Sequence, residues 1–75
     1  MADIEVSDAD NYERVWKISL NTPTAEVFEF LSQKTGVSSE LLMILTNEGV
    51  SIDRYLSLSQ QIEPGQKIFL VSLNN

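Results

Sequence analysis

Histidine and cysteine do most of the acid–base and thiol chemistry that proteins perform near neutral pH, and this 75-residue chain contains neither. It has no imidazole base, no thiol nucleophile and none of the commonest transition-metal ligands. Its serines have no imidazole to activate them. A Ser–Lys pair drawn from Lys17, Lys34 or Lys67 would need a cleft that desolvates the amine, and a small single-layer fold does not provide one. Gly36, Gly49 and Gly65 stand too far apart to cradle a phosphate. One oxygen cluster remains. Asp8, Asp10, Asn11 and Glu13 are spaced loosely like a calcium loop, but without the central glycine and the length such a loop needs. They read as a solvated acidic loop that steers a basic partner or keeps the chain soluble. No enzymatic activity, metal, cofactor or small-molecule substrate is expected.

The composition narrows the partners further. A chain this short buries roughly 60% of the surface its unfolded form exposes, which predicts one thin core and no deep pocket. There is no cysteine for a disulfide, no apolar run of about 18 residues and no signal-like start. A reducing compartment, cytoplasmic or nuclear, is therefore expected, without membrane insertion. The net charge of −6 is unevenly placed: Asp3, Glu5, Asp8, Asp10 and Glu13 all precede the first base, Arg14, and the rest of the chain is nearly neutral. Five scattered bases cannot neutralise a row of phosphates, so nucleic acid is a poor candidate partner.

The elements that would carry a binding site follow from periodicity. Ile4 and Val6 alternate with acids in a short, weak first strand, followed by a flexible acidic loop over 7–13. Trp16, Ile18 and Leu20 alternate with Lys17 and Ser19, the period of a half-buried strand that Val15 disturbs only slightly. Asn21-Thr22-Pro23 announces a helix over 23–35, with Glu26 near its positive end. Val27, Phe30 and Leu31 form its apolar stripe, widened by Phe28. Gly36 ends it and Val37 folds back towards Leu31. Residues 41–45 are apolar on both faces, Asn47-Glu48-Gly49 makes a bulged hairpin loop, and 50–52 form a return strand. Residues 53–62 hold a short helical turn within a loop. Pro64-Gly65 is a turn, and 67–73 form a last strand that is nearly continuous in apolar residues.

Residues 1–75 thus read as a single domain, acidic and partly flexible over 1–13, with its core in 14–73. The order of elements fits an α+β fold with one helix packed across a four- to five-stranded mixed sheet. Residues 21–73 also resemble the ubiquitin superfamily, with Val27, Leu31, Lys34, Gly36 and Val37 standing where that family has its helix and the following turn. The local similarity is greatest to the ubiquitin-fold modifier, at Thr22-Pro23, Val27, Phe30 and Ile44-Leu45-Thr46-Asn47-Glu48-Gly49-Val50-Ser51-Ile52. The same stretch, with Ile68-Phe69-Leu70-Val71, is similar to the N-terminal ubiquitin-like domains of selective-autophagy scaffolds and of an innate-immune kinase family. The resemblance implies a ubiquitin-like β-grasp. It departs from the modifiers at the end of the sequence, Ser72-Leu73-Asn74-Asn75, where a conjugated modifier carries a glycine. A non-conjugated interaction domain of a larger scaffold or signalling protein is expected, and a modifier lacking its glycine tail is the second reading.

The sheet supplies the expected site. With Trp16, Ile18, Val27, Leu31, Ile44, Ile68 and Leu70 in the core, pleat alternation turns Leu45, Phe69 and Val71 to the opposite face, with Lys67 and Arg54 at the polar rim. The pattern does not assign Met43. Three large apolar side chains on so small a domain form an expected docking site for other proteins, unless the 53–62 loop or a further part of a longer chain covers them. The resemblance places the superfamily's main recognition patch on the same two strands, at the positions of Leu45 and Val71.

Overall fold

A computed structural model describes residues 3–73. The chain runs through β1 (Asp3–Asp8), β2 (Asn11–Ser19), α1 (Thr24–Thr35), a 3₁₀ turn (Ser39–Leu41), β3 (Leu42–Thr46), α2 (Leu58–Gln61) and β4 (Lys67–Ser72). The strands form one sheet in the order β2-β1-β4-β3. β1 and β4 run parallel at its centre, with antiparallel pairs on either side. This is the predicted mixed sheet with one principal helix.

The first strand departs from expectation. β1 is central, paired with both β2 and β4, and Ile4 and Val6 are fully buried, at 0% exposure. The core therefore begins well before residue 14. Asp3 and Glu5 made the strand look weak, but period-2 alternation turns those acids to one face and the two apolar side chains to the other. The acidic loop predicted over 7–13 is a hairpin instead: Ser7 and Asp8 end β1, Ala9 and Asp10 make the turn, and β2 starts at Asn11. Asp8 Oδ1 accepts the Asp10 N–H at 2.9 Å, and the Ala9 N–H donates to the Leu70 carbonyl at 2.9 Å.

The helix begins at Thr24, one residue later than predicted, because Pro23 is the extended N-cap, with ψ of 135°. Proline has no side-chain acceptor, and no side chain caps this end. The Pro23 carbonyl instead accepts the Glu26 and Val27 N–H groups at 3.0 and 3.2 Å. The buried face is Thr24, Val27, Phe28 and Leu31, spaced i, i+3, i+4 and i+7. Phe30, predicted in the stripe, lies roughly 110° around the helix from the centre of that face and is 38% exposed. Gly36 closes the helix at φ 75°, its N–H donating to the Ser32 carbonyl, a left-handed position that glycine occupies without a Cβ clash.

After β3, Gly49 turns the chain at φ 84°, its N–H donating to the Thr46 carbonyl at 2.9 Å. The return strand is shorter than predicted: only Ser51 bridges back, to Leu45. Ile52 still donates to the Ile44 carbonyl at 2.8 Å, but its side chain is drawn into the core and the ladder stops there. The helical turn predicted within 53–62 is α2, opened by a Ser57–Gln60 capping box. Gln61 holds the preceding loop together, donating through Nε2 to the Asp53 and Leu56 carbonyls and accepting the Asp53 N–H through Oε1. Leu58 and Ile62 join the same core as the helix and the inner face of the sheet. Ile18, Val27, Leu31, Ile44, Ile68 and Leu70 are buried as predicted, while Trp16 is half-buried at the core's margin.

Truncating Leu31 to Ala is expected to cost about 2–5 kcal/mol, and Ile4→Ala a comparable amount. Urea unfolding measures both. A change below about 0.5 kcal/mol at Ile4 would show that β1 does not belong to the cooperative core.

Candidate protein-binding face

With the helix, Ile52, Leu58 and Ile62 gathered on one side, the sheet's other face is built by the intervening residues of each strand. The register sets them in rows. Val15 lies beside Ser7, Ser7 beside Phe69 and Phe69 beside Leu45, so one row crosses all four strands. The row spans about 14 Å at normal strand spacing. Val71 pairs with Met43 next to its end on β3 and β4. On the other flank, Lys17, Glu5 and Lys67 form a row of alternating charge, the cross-strand order that favours pairing.

The structure thus brings Leu45, Phe69, Val71 and Lys67 onto one face. The three apolar residues are half-buried rather than fully exposed. Each is shielded by neighbours in the same rows, and the Tyr12 ring meets Phe69 edge-on, with centroids 6.5 Å apart. Tyr12, Val15, Lys67 and Phe69 line a shallow groove of about 360 Å³ on this face. The 53–62 loop packs on the opposite side and does not cover it.

Arg54 is not at this rim. Its guanidinium lies over the Phe28 ring at 4.4 Å and donates to the Ser39 carbonyl at 3.0 Å, on the helix side of the sheet. An exposed-looking arginine in a loop is drawn there because Phe28, buried on the flank of α1, offers a ring face to cover.

Tyr12, Val15 and Met43 belong to the face and were not assigned to it by pattern. Val15 was legible as the apolar interruption on the outer side of β2. Tyr12 was not, because it reaches Phe69 through a register shift between Ser7 and Asp8 that adds residues to β2. The oxygens of 8–13 do not converge on a common point. Asp8 faces Arg14 at 3.7 Å and accepts from Asp10, while Asn11 Oδ1 accepts the Glu13 N–H at 3.1 Å. Among the described residues no group of three or more acidic side chains could hold a metal ion.

Solved structures place the fold. An N-terminal ubiquitin-like domain of the 4931431F19Rik protein superposes with a TM-score of 0.77 at 13% identity, covering 99% of this chain and 76% of its own. A computationally designed protein based on human erythrocytic ubiquitin gives 0.75 at 25% identity, over 100% of this chain and 95% of the other. Caldiarchaeum subterraneum ubiquitin gives 0.74 at 14% identity, over 95% and 91%. The architecture is the ubiquitin-like β-grasp. No protein-family model and no curated protein sequence matches the chain.

The aromatic contact that completes the face is directly measurable. A double-mutant cycle of Tyr12→Ala and Phe69→Ala, read by urea unfolding, is expected to give a coupling of about 0.5–1.5 kcal/mol. A coupling indistinguishable from zero would show that the Tyr12 ring does not rest on Phe69 in solution.

Proposed function

We propose that this chain is a non-catalytic interaction domain that binds other proteins through its outer sheet face. The observation that carries this reading is the apolar row from Val15 through Phe69 to Leu45, with Val71 and Met43 alongside, on a face that no described element covers. Its chemistry is that of a protein interface: aromatic and methionine side chains at the centre, with Lys17, Glu5 and Lys67 as a polar border. Leu45, Phe69 and Val71 are the proposed anchors, and Lys67 sets orientation. Arg54, held on the helix side, has no part in it. That one structural neighbour is itself the N-terminal domain of another protein is compatible with a place within a larger protein, and a scaffold or signalling protein of the cytoplasm or nucleus completes the proposal.

A second reading, a protein modifier of the ubiquitin-fold-modifier type, draws on the local resemblance at Thr22-Pro23, Val27, Phe30 and Ile44 to Ile52. The reading frame after Asn75 separates the two: a glycine within a few residues supports the modifier, and a following domain supports the module.

Binding partners recovered with the wild-type chain and quantified by titration calorimetry test the face itself. Phe69→Ala is expected to weaken binding by about 1–2 kcal/mol while leaving the circular dichroism of a folded protein. The double variant Leu45→Ser, Val71→Ser should lose the partner. Unchanged binding by a folded double variant would remove this face from the function.

A further inference from the structure

Tyr12, whose ring meets Phe69, stands on the least constrained stretch of β2. The register passes from Asn11, opposite Asp8, to Val15, opposite Ser7, so Tyr12, Glu13 and Arg14 have no partner on β1. Residues 11–15 are extended and all exposed. Tyr12 itself is 69% exposed, and its hydroxyl makes no hydrogen bond with a described residue. The chain's other tyrosine, Tyr55, is barer at 89% exposure, but it sits in a turn. Its N–H donates to Asp53 Oδ1 at 2.8 Å, and Gln61 binds the Asp53 N–H and carbonyl. An enzyme that modifies a phenol must bring its oxygen to the reacting group inside another protein's cleft, which needs a free ring on a backbone free on both sides. Tyr12 meets that need and Tyr55 does not.

The groove that Tyr12 lines on the outer face is completed by Glu5, Ser7, Val15, Lys67 and Phe69. Ser7 lies between Val15 and Phe69 in the row across the sheet, and its short side chain leaves the hollow there. Lys67 makes no ion pair with a described residue. Glu5 stands beside it and offsets part of its field, but Lys67 is the base that lines the groove. A phenol and a cation thus border one hollow next to Phe69.

We propose that Tyr12 is a phosphorylation site whose phosphate closes the outer face to partner proteins. The closure rests on the binding role proposed above; the assignment of the acceptor does not. The phosphoryl group comes from a nucleoside triphosphate bound to a tyrosine kinase. Tyr12 Oη attacks the γ-phosphorus, the bond from that phosphorus to the oxygen bridging the β-phosphate breaks, the diphosphate leaves, and the phenolic proton passes to the kinase's carboxylate base. Asp10 and Glu13, both exposed, flank the acceptor and suit a kinase with a basic substrate surface. The product carries about −1.5 to −2 charge near neutral pH. Next to Val15 and Phe69, that charge must be stripped of water before an apolar partner surface can dock, which opposes docking. Lys67 holds the phosphate in the groove, so the ring stays over Phe69.

The test has three readings. The chain is treated with ATP and a broad-specificity tyrosine kinase, and mass spectrometry follows each site with time; Tyr12 is expected to be phosphorylated about tenfold faster than Tyr55. Chain with phosphotyrosine incorporated at position 12 is then titrated by ³¹P NMR. Lys67→Gln is expected to raise the second phosphate pKa by about 0.2–0.7 of a unit, because losing a neighbouring cation disfavours the dianion. Lys34→Gln, whose ammonium lies over Phe30 on α1, should not move it. Finally, protein adducts formed in cell extract from a photoreactive side chain at Val71 are expected to fall about tenfold with phosphate at position 12 and to persist with phosphate at position 55. Phosphorylation of Tyr55 ahead of Tyr12 overturns the acceptor, and an unchanged pKa in Lys67→Gln overturns the seat of the phosphate. Undiminished adducts overturn the closure. If the unmodified chain forms no adducts from position 71, the binding role of the face fails and the closure with it, while the kinase reaction still decides the acceptor.

Discussion

One helix can cover only one face of a four-stranded sheet, and the rest of this molecule follows from that limit. α1 has 12 residues, about 18 Å of helix, and it lies on a single side. Every strand must therefore place its best apolar residues on that side: Ile4 and Val6 on β1, Ile18 on β2, Ile44 on β3, Ile68 and Leu70 on β4. β1 and β2 meet the limit economically, with acids, lysine and serine on most of their outward positions. β3 and β4 do not, and their second apolar set, Met43, Leu45, Phe69 and Val71, stays on the uncovered face. An apolar surplus held there by register, in a domain with so little core to draw on, is the physical basis of the binding role proposed for it.

The margins of the helix layer are closed by polar groups. Arg54 covers the Phe28 ring and ties its loop to Ser39, while the Thr24 hydroxyl donates to the Leu56 carbonyl at 2.5 Å. Gln61 collects the backbone groups of the turn before α2. These contacts satisfy loop carbonyls that would otherwise sit unpaired against the core. They also hold the 53–62 loop on the helix side, so the outer face stays open. The remaining margin, between β2 and α1, has no loop across it and retains a groove.

Periodicity revealed most of this design. The alternation of β2 and β4, the cap at Gly36, the turn at Gly49 and the inward set Ile44, Ile68 and Leu70 were all readable from spacing. The misreadings arose where a neighbouring element decides the outcome. Ile4 and Val6 looked sufficient only for a short, weak strand because nothing local shows that β4 will pair with β1 from the far end of the chain. Phe28 and Phe30 are equally apolar, and only the direction from which the sheet meets the helix selects Phe28. Arg54 looked like a rim charge until the ring it covers was in place. Tyr12 depends on a register shift that no residue type in 8–14 announces. The pair Leu45 and Val71 was legible because alternation along a strand is a local rule; the aromatic that leans over Phe69 was not, because it arrives from another hairpin.

The central claim, that the uncovered face is where a partner protein sits, is tested most directly by photo-crosslinking from defined positions. A photoreactive side chain is placed at Val71 on the outer face in one variant, and at Glu29, an exposed position of α1, in another. Both are irradiated with the protein's partners and the adducts are identified by mass spectrometry. The account predicts protein adducts from position 71 that are suppressed by excess unlabelled wild-type chain, with none of the same adducts from position 29. Specific adducts from position 29 alone would contradict it and place the partner on the helix.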